Sequence, residues 1–135
     1  MSQTAKIAII GTGFSGLGMG IKLKEAGYDN FVILEESDDV GGTWHENHYP
    51  GCACDVQSAL YSFSFEQNPN WTRMFAQQKE IQAYLRSCAE KYDLMKHVRL
   101  NTHVAGARFD EKTQSWTIET CDSCKLWAYR QKKGL

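Results

Sequence analysis

The residues with the clearest chemical potential form a glycine-rich turn that is followed, one segment later, by a carboxylate. Gly11, Gly13 and Gly16 come directly after the apolar run 7–10, and Glu35 closes a second apolar run 24 residues after Gly11. Glycines at this spacing leave room for a pyrophosphate between a strand and a helix, whose N-terminus offers free N–H groups and a positive dipole end. The order therefore predicts a βαβ unit that binds a dinucleotide.

Each residue of this pattern has its own predicted role. Gly11 permits the tight turn, Gly13 lets the backbone approach the pyrophosphate, and Gly16 allows the helix to pack closely on the strand. Glu35 is expected to accept hydrogen bonds from the two ribose hydroxyls and to repel a 2′-phosphate, which favours FAD or NAD over NADP. A glycine turn that binds nothing is the alternative, and the strand-helix-strand context argues against it.

The apolar pattern supplies the elements that must position this turn. Near-continuous apolar runs predict parallel strands at 5–10 and 31–35, each covered on both faces of a sheet. A helix is predicted at 14–27, although Gly18 and Gly20 each weaken it by up to ~1 kcal/mol. Glycines inside a helix indicate that its backbone packs closely on the sheet or on a cofactor.

The rest of the chain predicts a long loop, one further helix and a small hairpin. Residues 36–72 are rich in Gly, Asp, Asn, Ser and aromatic residues and show little periodicity; a loop of that length in a compact domain is usually functional. Helical spacing returns at 77–92. Short strands are predicted at 98–100, 103–109 and 116–119, and the last two form a hairpin.

Length and composition restrict the possible classes of protein. A chain of 135 residues, 42% hydrophobic and 23% charged, has the size of one domain. A formal net charge of -1 gives no electrostatic reason to expect nucleic acid or an anionic membrane as partner. The sequence shows no apolar run long enough to span a bilayer and no secretion signal, so we expect a soluble, cytoplasmic protein.

The cysteines raise the question of disulfides or a metal site. The sequence has five cysteines, an odd number, and no secretion signal, which favours reduced thiols over a disulfide framework. Cys121 and Cys124 form a single CxxC, which we interpret as a loop with two ordinary cysteines, because no second pair accompanies it. Four further possible ligands have a spacing unlike that of common zinc modules, so a turn is favoured over a metal site at His45, His48, Cys52 and Cys54.

The long loop carries a resemblance to a known family. It contains Gly41-Gly42-Thr43-Trp44, then Asn47-His48-Tyr49-Pro50-Gly51, then Cys54-Asp55, Ser58, Tyr61 and Ser62-Phe63. Together with the GxGxSG turn and the acid, this order resembles the FAD-binding segment of class B flavoprotein monooxygenases. It is most similar to the Baeyer-Villiger monooxygenases, with the N-oxygenating flavin-containing monooxygenases as relatives. The resemblance covers residues 5–120.

The resemblance implies an α/β fold: a Rossmann-like FAD-binding βαβ unit with a long cofactor loop, a helix and a small β-hairpin region. Family members are several-fold longer and carry a second glycine-rich unit for NADPH, which does not occur in this sequence. We therefore expect a truncated, N-terminal portion, with a partial FAD-binding domain at 1–120 and an atypical tail at 121–135. Because missing strands leave sheet edges open, an isolated chain without a partner is expected to be unstable or to self-associate.

The resemblance also implies a role for each matching residue. The implied cofactor-binding residues are Gly11, Gly13, Ser15, Gly16, Glu35, Gly42, Thr43, Trp44, Asp55, Tyr61 and Val104. The first four would hold the FAD pyrophosphate, Glu35 the adenosine ribose, and 42–44 the ribityl and isoalloxazine end. Tyr61 would make a further cofactor contact, and the backbone of Val104 would meet the adenine. Asp55 is the implied catalytic residue, beside the flavin ring, where it would support an arginine; a turn-capping carboxylate is the alternative.

The chemistry that the resemblance implies depends on FAD, NADPH and oxygen. NADPH reduces the flavin, oxygen adds to it, and the peroxyflavin must be kept from losing peroxide to water. Trp44, Tyr49, Tyr61 and Phe63 are candidates for the dry pocket this requires, or for an ordinary core. The implied activity is oxidation of a carbonyl compound, such as a ketone, to an ester or lactone. Two alternatives stay open: N- or S-oxygenation of an amine or sulfide, and a truncated, non-catalytic FAD-binding polypeptide.

A third alternative comes from outside this family. The NAD-binding module of an unrelated dehydrogenase would explain the glycine turn and Glu35, but it would leave the segment from Gly41 to Asp55 without a role.

Overall fold

The computed structural model describes residues 6–122, and its first three elements form a parallel βαβ unit. Strand β1 (Ile7–Ile10) is followed by helix α1 (Phe14–Glu25) and strand β2 (Phe31–Leu34), and the two strands pair in parallel. Both strands are short and apolar, and β2 is mostly buried, as predicted. In β1, half-buried and exposed residues alternate, so the described residues cover only one of its faces. The predicted order of strand, helix and strand is confirmed.

The segment that follows β2 is mostly irregular, as predicted, but it contains two short helical turns. Helix α2 (Thr43–Glu46) makes a single turn, and a 3₁₀ turn occupies Ser58–Leu60. Helix α3 (Gln78–Lys91) confirms the second predicted helix. A bridge between Ala53 and Gln77 fastens the middle of the loop to the start of α3.

The remaining strands complete the sheet and form the hairpin. Strand β3 (Val98–Arg99) pairs in parallel with β2, so the sheet order is β1-β2-β3. Strands β4 (Thr102–Asp110) and β5 (Ser115–Asp122) pair antiparallel, which confirms the predicted hairpin. Their register shifts at an irregularity between Val104 and Gly106.

The hairpin extends further along the chain than the sequence predicts. Strand β5 includes Cys121, which pairs with His103 of β4. The predicted loop at Cys121 is therefore wrong, because backbone pairing with β4 continues past the point where the side-chain pattern weakens. Cys124 and most of the predicted tail lie outside the described residues. The cysteines that the structure describes are free thiols: Cys52, Cys54, Cys88 and Cys121.

The core joins the sheet to α1 and α3. Its fully buried large side chains include Leu17, Ile21, Ile33, Ile81, Leu85 and Leu94. Complete burial of one such side chain contributes roughly 1.5–3 kcal/mol. Val40 and Trp44 of the long loop belong to the same cluster. The loop is thus anchored in the core, and this anchoring holds it against the glycine turn.

One edge of the structure leaves apolar side chains exposed. Strand β1 lies at the edge of the sheet formed by the described residues. A groove of about 550 Å³ separates β1 from the hairpin and is lined by Ile10, Trp116 and Ile118, among others. Trp116 is 66% exposed. An open strand edge beside exposed apolar groups favours association with another chain.

The residues 6–122 contain neither a membrane-spanning helix nor a metal cluster. No helix in this range combines the length and the apolar character needed to cross a bilayer. No three His, Cys, Asp or Glu side chains converge there in a way that could hold a metal ion. His45, the first of the four possible ligands in the loop, instead lies between Asp38 and Gln82.

Candidate functional site

Within residues 6–122, two pockets adjoin the glycine turn. The β2 pocket has a volume of about 230 Å³ and lies at the carboxyl ends of β1 and β2, beside Glu35. The α2 pocket has a volume of about 340 Å³ and lies between the start of α1 and Trp44 of α2. Gly11 and Gly13 line both pockets. Ligands of open α/β sheets bind at the carboxyl ends of the strands, so the position suits a ligand site.

Ten of the eleven residues implied to bind the cofactor line these pockets, and one does not. The β2 pocket contains Gly11, Gly13, Glu35, Gly42 and Val104. The α2 pocket shares the two glycines of the turn and adds Ser15, Gly16, Thr43, Trp44 and Tyr61. Asp55 is exposed and lies outside the lining of both pockets. The fold thus brings together residues that are up to 93 positions apart.

The glycine turn shows the close backbone approaches that its spacing predicts. A Cβ atom at Gly16 would overlap the carbonyl oxygen of Gly11. Gly42, at the start of α2, has a φ of 54°, and a Cβ there would lie 3.1 Å from Cα of Gly13. Larger residues at either position would therefore push the turn or α2 out of place.

The start of α1 offers a site for an anion. The helix begins at Phe14, with Gly13 as its N-cap and no acidic side chain in its first turn. The N–H groups of a first helical turn lack intrahelical partners and lie at the positive end of the helix dipole. Ser15 and Gly16 line the α2 pocket at this point. The arrangement suits a phosphate group.

Glu35 is almost completely buried, and its carboxylate accepts three hydrogen bonds from the protein. Only 3% of the residue is exposed. Oε2 accepts from the Thr12 N–H at 2.9 Å and from the Thr12 hydroxyl, and Oε1 accepts from the Ser37 N–H at 2.9 Å. A carboxylate offers about four acceptor sites, so about one is left for a ligand. The Glu35 carboxylate is thus fixed in the wall of the β2 pocket.

A second acid in this pocket, Glu36, was not predicted from the sequence. Oε2 of Glu36 lies 2.7 Å from Nδ1 of His103, and this pair joins the second residue after β2 to β4. Both residues line the β2 pocket, as does Glu46. With three carboxylates in its wall, the pocket disfavours a phosphorylated ribose. The available signal was the position of Glu36 beside Glu35, but the partner on β4 could not be identified without the tertiary structure.

Aromatic side chains pack along the α2 pocket. The buried Trp44 donates its Nε1–H to the Tyr61 hydroxyl at 3.1 Å. Phe14 packs edge-on against both Tyr61 and Phe63, at centroid distances of 5.0 and 5.2 Å. Tyr49, by contrast, is 63% exposed. Three of the four candidate aromatic residues therefore join one cluster, and the prediction for Tyr49 is wrong because its side chain faces solvent.

Tyr84 of α3 packs against this aromatic cluster. Its ring stacks on Phe14 with a centroid distance of 6.1 Å. Burial raises the pKa of Tyr84 above its usual range, so the hydroxyl stays protonated. It donates to the Glu66 carbonyl at 2.7 Å and accepts from the Phe63 N–H at 2.8 Å. These bonds fix the loop segment that carries Phe63.

A chain of hydrogen bonds, which we call the α2 relay, connects α2 to α3. The buried Gln78 amide donates to the Trp44 carbonyl and, at 3.0 Å, to Oε1 of Gln82. Gln82 donates to Nδ1 of His45 at 2.8 Å, and Nε2 of His45 donates to Asp38 at 2.9 Å. Because Nδ1 accepts a bond, the relay selects the Nε2–H tautomer of a neutral His45. It holds the backbone of Trp44 at the wall of the α2 pocket.

The comparison with protein families agrees with this geometry. The model of the NAD(P)-binding Rossmann-like domain matches residues 9–78, which include the glycine turn, Glu35 and the loop up to α3. The chain belongs to this family. The match confirms the predicted Rossmann-like α/β fold.

Within the Rossmann-like family, the chain is similar to monooxygenases. A Baeyer-Villiger monooxygenase of Pseudomonas aeruginosa is 60% identical over 117 residues, which are 87% of this chain and 22% of that protein. The FAD-binding monooxygenase ktnD of Aspergillus niger is 47% identical over 133 residues, 97% of this chain and 22% of that protein. The predicted resemblance to flavin monooxygenases is confirmed, and the chain spans about a fifth of the length of these relatives.

A solved structure gives the same result for the fold. An oxidised steroid monooxygenase bound to NADP superposes with a TM-score of 0.83 at 36% identity, over 87% of this chain and 23% of that one. The βαβ unit, the long loop and the hairpin of the Rossmann-like chain thus correspond to one part of a much longer monooxygenase.

Proposed function

We propose that this chain forms the FAD-binding part of a flavin-dependent monooxygenase. The observation that carries the proposal is the convergence of ten implied cofactor-binding residues on two pockets that share the glycine turn. The name of the Aspergillus niger relative as an FAD-binding monooxygenase supports the same cofactor.

The residues present fit the groups of FAD. The β2 pocket, with the buried Glu35 carboxylate and the backbone of Val104, suits the adenosine. The glycine turn and the start of α1 suit the pyrophosphate because they present N–H groups and no acid. The α2 pocket, with Trp44 and Tyr61, suits the ribityl and flavin end. When bound, the flavin supplies the redox and oxygen chemistry, and the protein supplies position and a water-excluding wall.

For the whole protein we propose the NADPH- and oxygen-dependent oxidation of a small carbonyl compound to an ester or lactone. The support is the 60% identity to a Baeyer-Villiger monooxygenase. One alternative is oxygenation of an amine at nitrogen or of a sulfide at sulfur. The other is that the polypeptide binds FAD without turnover. For the Baeyer-Villiger reaction, the implied catalytic role of Asp55 beside the flavin stays a prediction. We further propose a cytoplasmic location, in line with the free thiols of the described residues.

The test is an absorption spectrum of the chain after incubation with FAD and desalting, with FMN and NAD as competing ligands. We expect retained flavin bands that differ from those of free FAD. In Gly16→Ala we expect the retention to be lost, because the added Cβ overlaps the Gly11 carbonyl. The matched control is Gly106→Ala, where the nearest atom to an added Cβ is 3.6 Å away.

Three results would contradict the proposal. A folded chain that stays colourless after desalting does not bind FAD by itself. A chain that retains NAD instead of FAD would be an NAD-binding module with the same fold. Loss of flavin in both glycine variants would mean that the turn is not the binding site.

A further inference from the structure

Thr12 is the one residue with a side chain in the turn formed by 11–13, and it belongs to the lining of the β2 pocket. The residue is completely buried. Both of its donors, the N–H and the hydroxyl, bind the same oxygen, Oε2 of Glu35. The Thr12 side chain therefore connects the glycine turn after β1 to the carboxylate after β2.

The Thr12 hydroxyl is the one side-chain donor among the three described hydrogen bonds that orient the Glu35 carboxylate. A glutamate side chain has several free torsions, and fixing it during binding costs conformational entropy. The β-branched Thr12 has few rotamers, so its hydroxyl is itself held in place. With Oε2 held by Thr12 and Oε1 by the Ser37 N–H, the carboxylate is oriented without any help from a ligand.

We propose that Thr12 is a positioning residue for nucleotide binding: its hydroxyl orients the Glu35 carboxylate in the β2 pocket for the adenosine ribose. The inference rests on the proposed FAD binding and adds to it a residue that lines the β2 pocket but not the α2 pocket. Hydrogen bonds to a charged acceptor are stronger than those between neutral groups. A change that removes only the hydroxyl therefore has a measurable effect on affinity.

The experiment compares the dissociation constant of FAD for the wild-type chain, Thr12→Val and Thr12→Ser, measured by flavin fluorescence. Thr12→Val keeps the shape and removes the hydroxyl, and we expect about tenfold weaker binding. Thr12→Ser keeps the hydroxyl, and we expect binding within about threefold of the wild type. If Thr12→Val does not fold, Thr12→Ser and Thr12→Ala, which differ only in the hydroxyl, give the same comparison.

A double-mutant cycle separates positioning from a general structural effect. In a Glu35→Ala background, Thr12→Val is expected to cause no further loss of affinity, because the group it positions is gone. The control is Ser58→Ala, which removes another buried hydroxyl, one whose oxygen lies 2.7 Å from the carbonyl oxygen of Arg73 and 3.0 Å from that of Met74. We expect it to lower the melting temperature and to leave the FAD dissociation constant unchanged.

The outcomes distinguish this inference from the proposed function. A wild-type chain that retains no flavin overturns both. A wild-type chain that binds FAD while Thr12→Val binds it equally well overturns only the role of Thr12. An equal loss of affinity from Thr12→Val with and without Glu35 also overturns it, because the effect would then not pass through the carboxylate.

Discussion

Replacement of Gln78 by alanine tests whether the α2 relay holds α2 on α3. The buried amide donates two hydrogen bonds, to the Trp44 carbonyl and to Oε1 of Gln82. A net hydrogen bond contributes about 0.5–1.5 kcal/mol, and a buried acceptor left without its donor costs about 1–3 kcal/mol. We therefore expect Gln78→Ala to lower the free energy of unfolding by about 2–4 kcal/mol.

The assay is equilibrium unfolding in urea, followed by circular dichroism and by tryptophan fluorescence. The two probes are needed because Trp44, one of the four tryptophans of the chain, lies at the relay, whereas the helical signal is dominated by α1 and α3. The matched control is Gln77→Ala, the preceding residue of the same type. Gln77 is exposed and makes no capping bond with its side chain, so a change below about 0.5 kcal/mol is expected.

Equal urea midpoints for Gln78→Ala and Gln77→Ala would contradict a stabilising role of the relay. Such a result would mean that the packing of Trp44 and Val40 in the core is enough to hold the loop. A midpoint that falls only for Gln78→Ala, with an unchanged slope of the transition, would assign the lost stability to the relay.

Two further predictions concern acid stability and association. Hydrogen bonds from Lys91 and Tyr92 hold the pKa of Glu66 below its usual range. The ionised Glu66 carboxylate therefore stabilises the folded state above the pKa of the unfolded state. This stabilisation is lost as the pH falls through the lowered pKa. Lys91→Ala should therefore reduce the fall in the urea midpoint between about pH 5 and about pH 3, whereas Lys79→Ala, on the same helix, should not. The same dependence of the urea midpoint on pH in both variants would contradict a stabilising role of the Lys91–Glu66 contact. Trp116→Lys should reduce concentration-dependent association in sedimentation experiments, because it places a charge at the exposed groove beside β1, and an unchanged distribution would exclude this face.

The βαβ unit was predictable because few local structures need glycines at this spacing. The positions of Gly11, Gly13 and Gly16 after an apolar run require close backbone approach, and the structure shows it at Gly16. The position of Glu35 at the end of β2 followed from the length of one helix and one strand. The local pattern and the tertiary structure agree here, so the βαβ unit and the position of Glu35 could be predicted from the sequence.

Other parts depend on contacts between residues far apart in the chain. Helix α2 was missed because four residues are too few to show a helical period. The pair of Glu36 and His103 joins positions 67 residues apart, and no pattern along the chain indicates it. For Tyr49 the residue type suggested an aromatic wall, but the local turn directs the ring to solvent.

The construction of the β2 pocket has a consequence for the order in which the chain folds. One wall comes from 11–13 and the other from 102–104, so closing the pocket requires a contact between parts of the chain about 90 residues apart. The local pairing of β4 with β5 needs only a short turn and forms within about 1–10 μs, whereas distant contacts carry a larger loop-closure entropy and form later. The pocket is therefore among the last features to assemble. A nucleotide that contacts both walls would stabilise the packing of the turn at 11–13 against the hairpin in the folded chain.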